Sequence, residues 1–332
     1  MPSVLVTGSA GFIGYHLAER LLAAGVRVVG LDNLNDYYSV ALKEARNARL
    51  QRQASYEFVE RDLTDRDFLA DLLRRESFAT VFHLAAQAGV RHSLDKPEDY
   101  LRSNVDGTLS VLEAARHAPN RPHLLMASSS SVYGASERYP YREDDPADRP
   151  LALYGATKRA GELMGHAYAH LFGLRVTMLR FFTVYGPWGR PDMALFKFVQ
   201  AILEQREIEL YNGGDMVRDF TYVDDIVEGI LRLDEERKAP GQPIFDIFNI
   251  GAGQPRPLRE FVTAIEESLG RRARVKLMPF QSGDVYKTHA DVSRLQALCG
   301  YAPRTTVREG VRRFAEWYRE FYRVDLGHRP RP

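Results

Sequence analysis

Val4-Leu5-Val6-Thr7-Gly8-Ser9-Ala10-Gly11-Phe12-Ile13-Gly14 opens the chain with a short apolar, β-branched run that ends in glycines three residues apart. A strand that turns through glycine into a helix brings backbone close to a pyrophosphate. The small residues permit the tight turn, and the helix N-terminus offers free N–H groups and the positive end of its dipole. Glycine spacing is weak evidence alone in a chain with 25 glycines. Its weight comes from context: a strand at 4–7 before it and an amphipathic stretch at 13–24 after it. Asp32 follows the next β-branched run, 27–31. A carboxylate there accepts both hydroxyls of an adenosine ribose and repels a 2′-phosphate, which favours NAD over NADP. Asp62-Leu63, after the third run, is placed to hold the adenine edge.

The same rhythm continues outward. Apolar runs at 4–7, 27–31, 56–59, 80–84, 123–128 and 174–180 alternate with amphipathic stretches at 13–24, 40–53, 66–75, 104–118 and 154–172. Such alternation builds βαβ units, and right-handed crossovers wind them into a doubly wound, Rossmann-like parallel sheet. After about residue 180 the pattern changes. A Gly-Pro-Trp-Gly-Arg-Pro loop at 186–191 precedes helical patterns at 193–205, 223–235, 257–269 and 307–322 and strand patterns at 207–211 and 245–250. The expected fold class is α/β: a Rossmann-like sheet with a smaller, interleaved C-terminal α/β substrate domain. Residues 1–180, together with 220–250, form the NAD-binding domain. Residues 181–332, mainly 181–219 and 251–325, form the other. The Pro/Arg-rich end, 327–332, is expected to fray.

Composition narrows the partners. The 332 residues carry 45 basic and 44 acidic groups, a formal charge of +1. No global field recruits nucleic acid or an anionic membrane. The single cysteine, Cys299, excludes an intramolecular disulfide and a cysteine metal cluster, and the nine histidines show no ligand spacing, so no metal is expected. No leader pattern and no apolar run of membrane-spanning length is evident, so a cytoplasmic protein is expected. Of the basic residues, 38 are Arg and only 7 are Lys. A given arginine is therefore weaker evidence of a site than a given lysine.

Tyr154-Gly155-Ala156-Thr157-Lys158 places a phenol and an ammonium four residues apart, on one face of a helix. Upstream, Ala127-Ser128-Ser129-Ser130-Ser131-Val132-Tyr133-Gly134 ends the fifth strand pattern. Ligands of doubly wound sheets sit at the carboxyl ends of strands, so the serine run points hydroxyls at the nicotinamide end of the cleft. A hydroxyl, a phenol and a lysine beside NAD can move a proton and a hydride together. Free tyrosine has a pKa near ~10, too high for a base at neutral pH. Lys158 at ~4 Å, together with the positive nicotinamide ring, is expected to lower it by up to ~3 units.

These residues carry a family resemblance that spans nearly the whole chain. The glycine turn, the serine strand and Tyr154/Lys158 resemble the extended short-chain dehydrogenase/reductases. His83-Leu84-Ala85-Ala86-Gln87-Ala88-Gly89-Val90-Arg91, Arg180-Phe181-Phe182-Thr183-Val184-Tyr185-Gly186-Pro187 and Arg218-Asp219-Phe220-Thr221-Tyr222-Val223-Asp224-Asp225 resemble their nucleotide-sugar branch. Leu31-Asp32-Asn33-Leu34-Asn35-Asp36-Tyr37-Tyr38 and Pro187-Trp188-Gly189-Arg190-Pro191-Asp192-Met193-Ala194 are more narrowly similar to UDP-glucuronate 4-epimerases.

The resemblance implies NAD-dependent C4 epimerisation of UDP-glucuronate to UDP-galacturonate through a 4-keto intermediate, with NAD bound tightly and regenerated each turnover. It implies Ser129, Tyr154 and Lys158 as catalytic residues. It sets the cofactor against Gly8, Gly11, Phe12, Ile13, Gly14, Asp32, Asn33, Asp62, Leu63, Leu84, Ala85, Ala86 and Asn104, as well as Tyr154 and Lys158. It assigns the UDP-sugar to Arg91, Ser129, Ser130, Thr183, Arg190, Arg218 and Asp284. Arg190, with Thr183 and Ser130, would hold the C5 carboxylate, because a fork of N–H donors fits that group. Arg218 would take the diphosphate and Asp284 the uridine ribose.

Two departures from family patterns matter. Thr183 stands where many UDP-galactose epimerases carry Asn, and Gln281 stands where many relatives carry Arg. The alternatives are a UDP-glucuronate decarboxylase, a UDP-glucose/galactose 4-epimerase, and a catalytically silent NAD-binding regulator. The resemblance also implies a homodimer, paired through helices 104–118 and 154–172.

Overall fold

The computed structural model describes residues 3–281 and 283–324. The tail at 327–332 lies outside them. The first half alternates as β1 (Ser3–Thr7), α1 (Phe12–Ala23), β2 (Arg27–Asp32), α2 (Val40–Leu50), β3 (Tyr56–Glu60), α3 (Arg66–Arg75) and β4 (Phe78–His83). Two short helices, α4 (His92–Asp95) and α5 (Pro97–Tyr100), and a π-helical turn (Leu101–Asp106) lead into α6 (Gly107–His117). Then come β5 (His123–Ser129), α7 (Leu153–Phe172) and β6 (Val176–Phe181).

The rest comprises β7 (Thr183–Tyr185), α8 (Ala194–Leu203), β8 (Glu207–Leu210), β9 (Val217–Tyr222), α9 (Val223–Lys238) and β10 (Phe245–Ile250). The described elements end with β11 (Pro255–Pro257), α10 (Leu258–Leu269), β12 (Arg274–Leu277), α11 (Ser293–Cys299) and α12 (Val307–Phe321).

Seven strands form one parallel sheet in the order β10-β6-β5-β4-β1-β2-β3. The order reverses between β1 and β4, and ligands of such sheets bind at that crevice. Side-chain alternation explains why the strands read as continuous apolar runs. Val4 and Val6 of β1 face a core shared with α1, α2 and α9, while Leu5 faces a second core shared with α3, α6 and α7. Both faces are covered, so both alternating sets are apolar.

Between β6 and β10 the chain leaves this sheet. It builds a three-stranded sheet, β11-β9-β7, and a two-stranded one, β12-β8, before and after its return. The expected strand at 245–250 is β10, at the edge of the large sheet beside β6. The expected helix at 104–118 begins instead as the π-helical turn, and regular α-helix starts at Gly107.

Candidate active site

The glycine turn is built as tightly as its sequence implies. Gly8 has a positive φ of 74°, and a Cβ there would lie 2.7 Å from Ala85 N, across the crevice. A Cβ on Gly14 would lie 2.1 Å from Gly8 O. Both positions therefore exclude side chains for packing reasons. Gly11 is the N-cap of α1 and supplies no side-chain cap. The first N–H groups of that helix are thus left for an anion in the cleft, which fits a dinucleotide pyrophosphate. Asp32 is buried at the end of β2. Its oxygens accept from Ala10 N (3.1 Å) and Leu34 N (2.9 Å). Burial pushes its pKa up, and these bonds and the Lys43 charge pull back. Asn33 Nδ2 donates to Asp62 Oδ2 at 2.9 Å, tying the second and third strand ends together.

These residues line one large cleft of about 1360 Å³ that runs from the glycine turn to the β8–β9 region. It gathers every expected site residue except one. Asn104 does not line it. The Asn104 amide is consumed behind the cleft: Oδ1 accepts from Gln87 N (2.8 Å), and Nδ2 donates to Gln87 O (3.0 Å) and Thr157 Oγ1 (3.0 Å). Asn104 braces the loop after β4 against α7, and it lies off the cleft because the π-helical turn rotates it inward.

Ser129, at the carboxyl end of β5, and Tyr154 line the same part of the cleft; the Ser129 hydroxyl donates to Ser131 Oγ at 3.2 Å and favours the ionised form of the Tyr154 phenol. The serine run does not act as a block. Strand alternation turns Ser128 to the opposite face, where its Oγ donates to buried Glu162 at 2.6 Å. The electrostatics of Tyr154 also differ from expectation. Burial pushes the phenol above its usual range; Ser129 and Arg190 pull it down, and Asp192 pushes it up. Lys158 is not among the groups that shift it. The Lys158 ammonium turns toward the strand and donates to Ala127 O at 2.9 Å. Burial lowers its own pKa to about 8.

The substrate-side residues are paired with one another. Arg218 Nη2 donates to Asp284 Oδ1 at 2.7 Å. The Arg91 guanidinium stacks 4.7 Å from the Tyr211 ring centre. Arg190 is held by Asp192 through two bonds, Nε to Oδ1 (3.0 Å) and Nη2 to Oδ2 (2.5 Å). Thr183 and Ser130 line the same wall. Buried Arg46 joins the glycine turn to the loop that carries Arg190. It donates to Ala10 O in the glycine turn (2.8 Å) and to Trp188 O in the Arg190 loop (2.6 Å).

Residues that sequence reasoning passed over include Lys43, Lys197 and Lys276, all lining the cleft. With Lys158, they make four of the seven lysines, so the scarcity of lysine was itself a signal. Glu162 was also missed.

A profile of the NAD dependent epimerase/dehydratase family matches residues 4–251. The chain belongs to that family. Among relatives, a probable UDP-glucuronate 4-epimerase of Rhizobium meliloti is 48% identical, over 96% of this chain and 97% of the relative. UDP-glucuronate 4-epimerase 3 of Arabidopsis thaliana is 45% identical, over 96% of this chain and 77% of the relative. Among solved structures, this family member is similar to a Bacillus cereus UDP-glucuronic acid 4-epimerase in complex with UDP-glucuronic acid and NAD. The TM-score is 0.89 at 32% identity, covering 96% of this chain and 100% of that one.

Proposed function

We propose that the protein is an NAD-dependent isomerase that converts UDP-glucuronate to UDP-galacturonate at C4 and keeps the carboxylate. One observation carries the reading: Ser129 and Tyr154 line the same cleft as the glycine turn and a carboxylate-matching arginine, Arg190. The likeness to proteins named for this reaction supports it.

The α1 N-terminus holds the pyrophosphate and Asp32 the adenosine ribose. The Asn33–Asp62 pair with Leu63 borders the adenine. Leu84, Ala85 and Ala86 support the dinucleotide where the sheet order reverses. NAD, when bound, supplies a reversible hydride acceptor. Tyr154 takes the proton of the C4 hydroxyl as the C4 hydride departs and returns it when the ring presents its other face. Ser129 hydrogen-bonds the phenol and the C4 oxygen. Lys158, one turn further along α7, holds the cofactor ribose and keeps its positive charge behind Tyr154.

Once C4 is a ketone, the C5 carboxylate is β to it and is primed to leave as CO₂. Arg190, with Thr183 and Ser130, holds that group so that its C–C bond stays out of line with the carbonyl π system. Arg218 and Asp284 take the diphosphate and uridine ribose, and Arg91 closes the sugar end. The NAD-binding part comprises 1–180 with 220–250, and the remainder holds the UDP-sugar.

A cytoplasmic homodimer belongs to the same reading. α7 leaves Leu163 and Leu171 exposed on its outer side, apolar surface that a second copy would cover. No described helix is long and apolar enough to cross a membrane.

The test is product analysis by NMR after incubation of the purified protein with UDP-glucuronate. UDP-galacturonate with its carboxylate is the expected product. A UDP-pentose would identify a decarboxylase instead, and turnover of UDP-glucose alone a neutral-sugar epimerase.

A further inference from the structure

We propose that Tyr37 and Asp192 are positioning residues that grip Arg190 by one edge and so aim its other N–H pair at the substrate carboxylate. The inference rests on the hexuronate reading above. A guanidinium has five N–H donors. Asp192 uses two of them, on the Nε–Nη2 edge. Asp192 leaves both Nη1 hydrogens and the second Nη2 hydrogen, and one from each nitrogen forms a second fork of the shape a carboxylate fills.

The grip is itself anchored. Tyr37, on the loop between β2 and α2, donates its hydroxyl to Asp192 Oδ2 at 3.1 Å. The Tyr37 ring packs 4.7 Å from His92, and a Cβ on Gly89 would lie 2.2 Å from its hydroxyl, so the phenol has no room to swing. Arg46 fixes the backbone of the Arg190 loop through Trp188 O and Gly189 O. With the backbone held, rotation of the guanidinium is the freedom left, and Asp192 removes it. Arg190 and Asp192 remain 22% and 25% exposed, so both reach the cleft rather than serving as buried core.

Asp192 also offsets most of the charge of Arg190. Recognition then depends on direction more than on net charge. A planar C6 carboxylate satisfies both N–H groups of the fork, whereas a neutral hydroxymethyl satisfies one. Tyr37 and Asp192 therefore act on the distinction between hexuronate and hexose and leave the UDP end alone.

Calorimetric titration of the NAD-loaded full chain with UDP-glucuronate and with UDP-glucose tests this. Asp192→Asn is expected to weaken UDP-glucuronate about tenfold while UDP-glucose changes less than about twofold. Tyr37→Phe should shift the ratio the same way, by about threefold. Tighter UDP-glucuronate binding in Asp192→Asn would mean that Asp192 competes for Arg190, and it would overturn the inference. An equal loss for both ligands, or no change in either, would overturn it as well. Binding rather than turnover is read. A wild type that prefers UDP-glucuronate but does not epimerise it would sink the proposed reaction and leave this inference standing.

Discussion

Tyr154→Phe is expected to lower kcat by roughly 10²–10⁴-fold, the range lost when a positioned proton-transfer group is removed. The substitution deletes one oxygen and keeps the ring. Its edge-on contact with Tyr100, at 6.1 Å between centres, survives. NAD retention and UDP-glucuronate affinity should therefore stay near wild type, so the loss falls on the chemical step. Wild-type kcat/KM should rise with pH as the phenol ionises, because burial holds it above the ordinary range in the protein alone. In the variant that rise should disappear. A rate within threefold of wild type would remove Tyr154 from the role of base.

The second large effect is on stability. Arg180 and Glu162 are 1% and 0% exposed, and they pair through two bonds of 2.8 Å, Nε to Oε1 and Nη2 to Oε2. Arg180→Met leaves the Glu162 carboxylate buried, with only Ser128 and the partly exposed Arg159 among its present partners. Breaking a buried pair in this way costs about 3–5 kcal/mol. Replacing both, as Arg180→Met/Glu162→Leu, should recover much of that loss, since no buried carboxylate then remains and Arg159, 30% exposed, can turn to solvent. Burial alone would raise the Glu162 pKa, but Arg180, Ser128 and Arg159 more than offset it and the net direction is down.

The wild-type contribution is therefore complete above the ordinary carboxylate range and fades as pH falls through the lowered value. In Arg180→Met the stranded carboxyl instead gains by taking a proton. Its deficit, measured by denaturant unfolding, should narrow on acidification. A deficit below ~1 kcal/mol at pH 7 would show that the pair is not holding α7 on the sheet.

Five of the first six strands were legible because both of their faces are covered, so the apolar run is little interrupted; β3, at the sheet edge with Glu57 and Glu60 exposed, was legible from the alternation of its apolar and acidic residues. β9 was not, for a reason that its residues show. Arg218 and Asp219 sit mid-strand and read as loop chemistry. Asp219 is nonetheless fully buried, because its carboxylate accepts from the backbone of Ala252, Gly253 and Ala290. Those partners are far away in sequence, and no local pattern announces them. β7 is three residues long and β12 is exposed throughout, so neither carries a periodic signal.

Within the site, the glycine turn and the shared face of Tyr154 and Lys158 followed from spacing, and the choice of Ser129 within the serine run followed from the family resemblance. The direction of the Lys158 ammonium did not. Helical spacing fixes which face a side chain leaves from, and the carbonyl of Ala127 decides where its end goes. Glu162 escaped notice because a lone glutamate on a helix resembles a solvent-facing one until its partner strand is known.

The return of the chain to β10 also sets an order of events during synthesis. β1 to β6 can pair as they leave the ribosome, but the place beside β6 stays open until residue 250 has been made. Through that interval β6 presents an unpaired apolar edge, Val176 to Phe181, to the crowded surroundings of the nascent chain. The pairing of β10 with β6 joins segments distant in sequence, and such contacts form slowly. Chains cut just before Phe245 should aggregate where the full chain stays soluble; equal solubility would show that the open edge is protected by some other means.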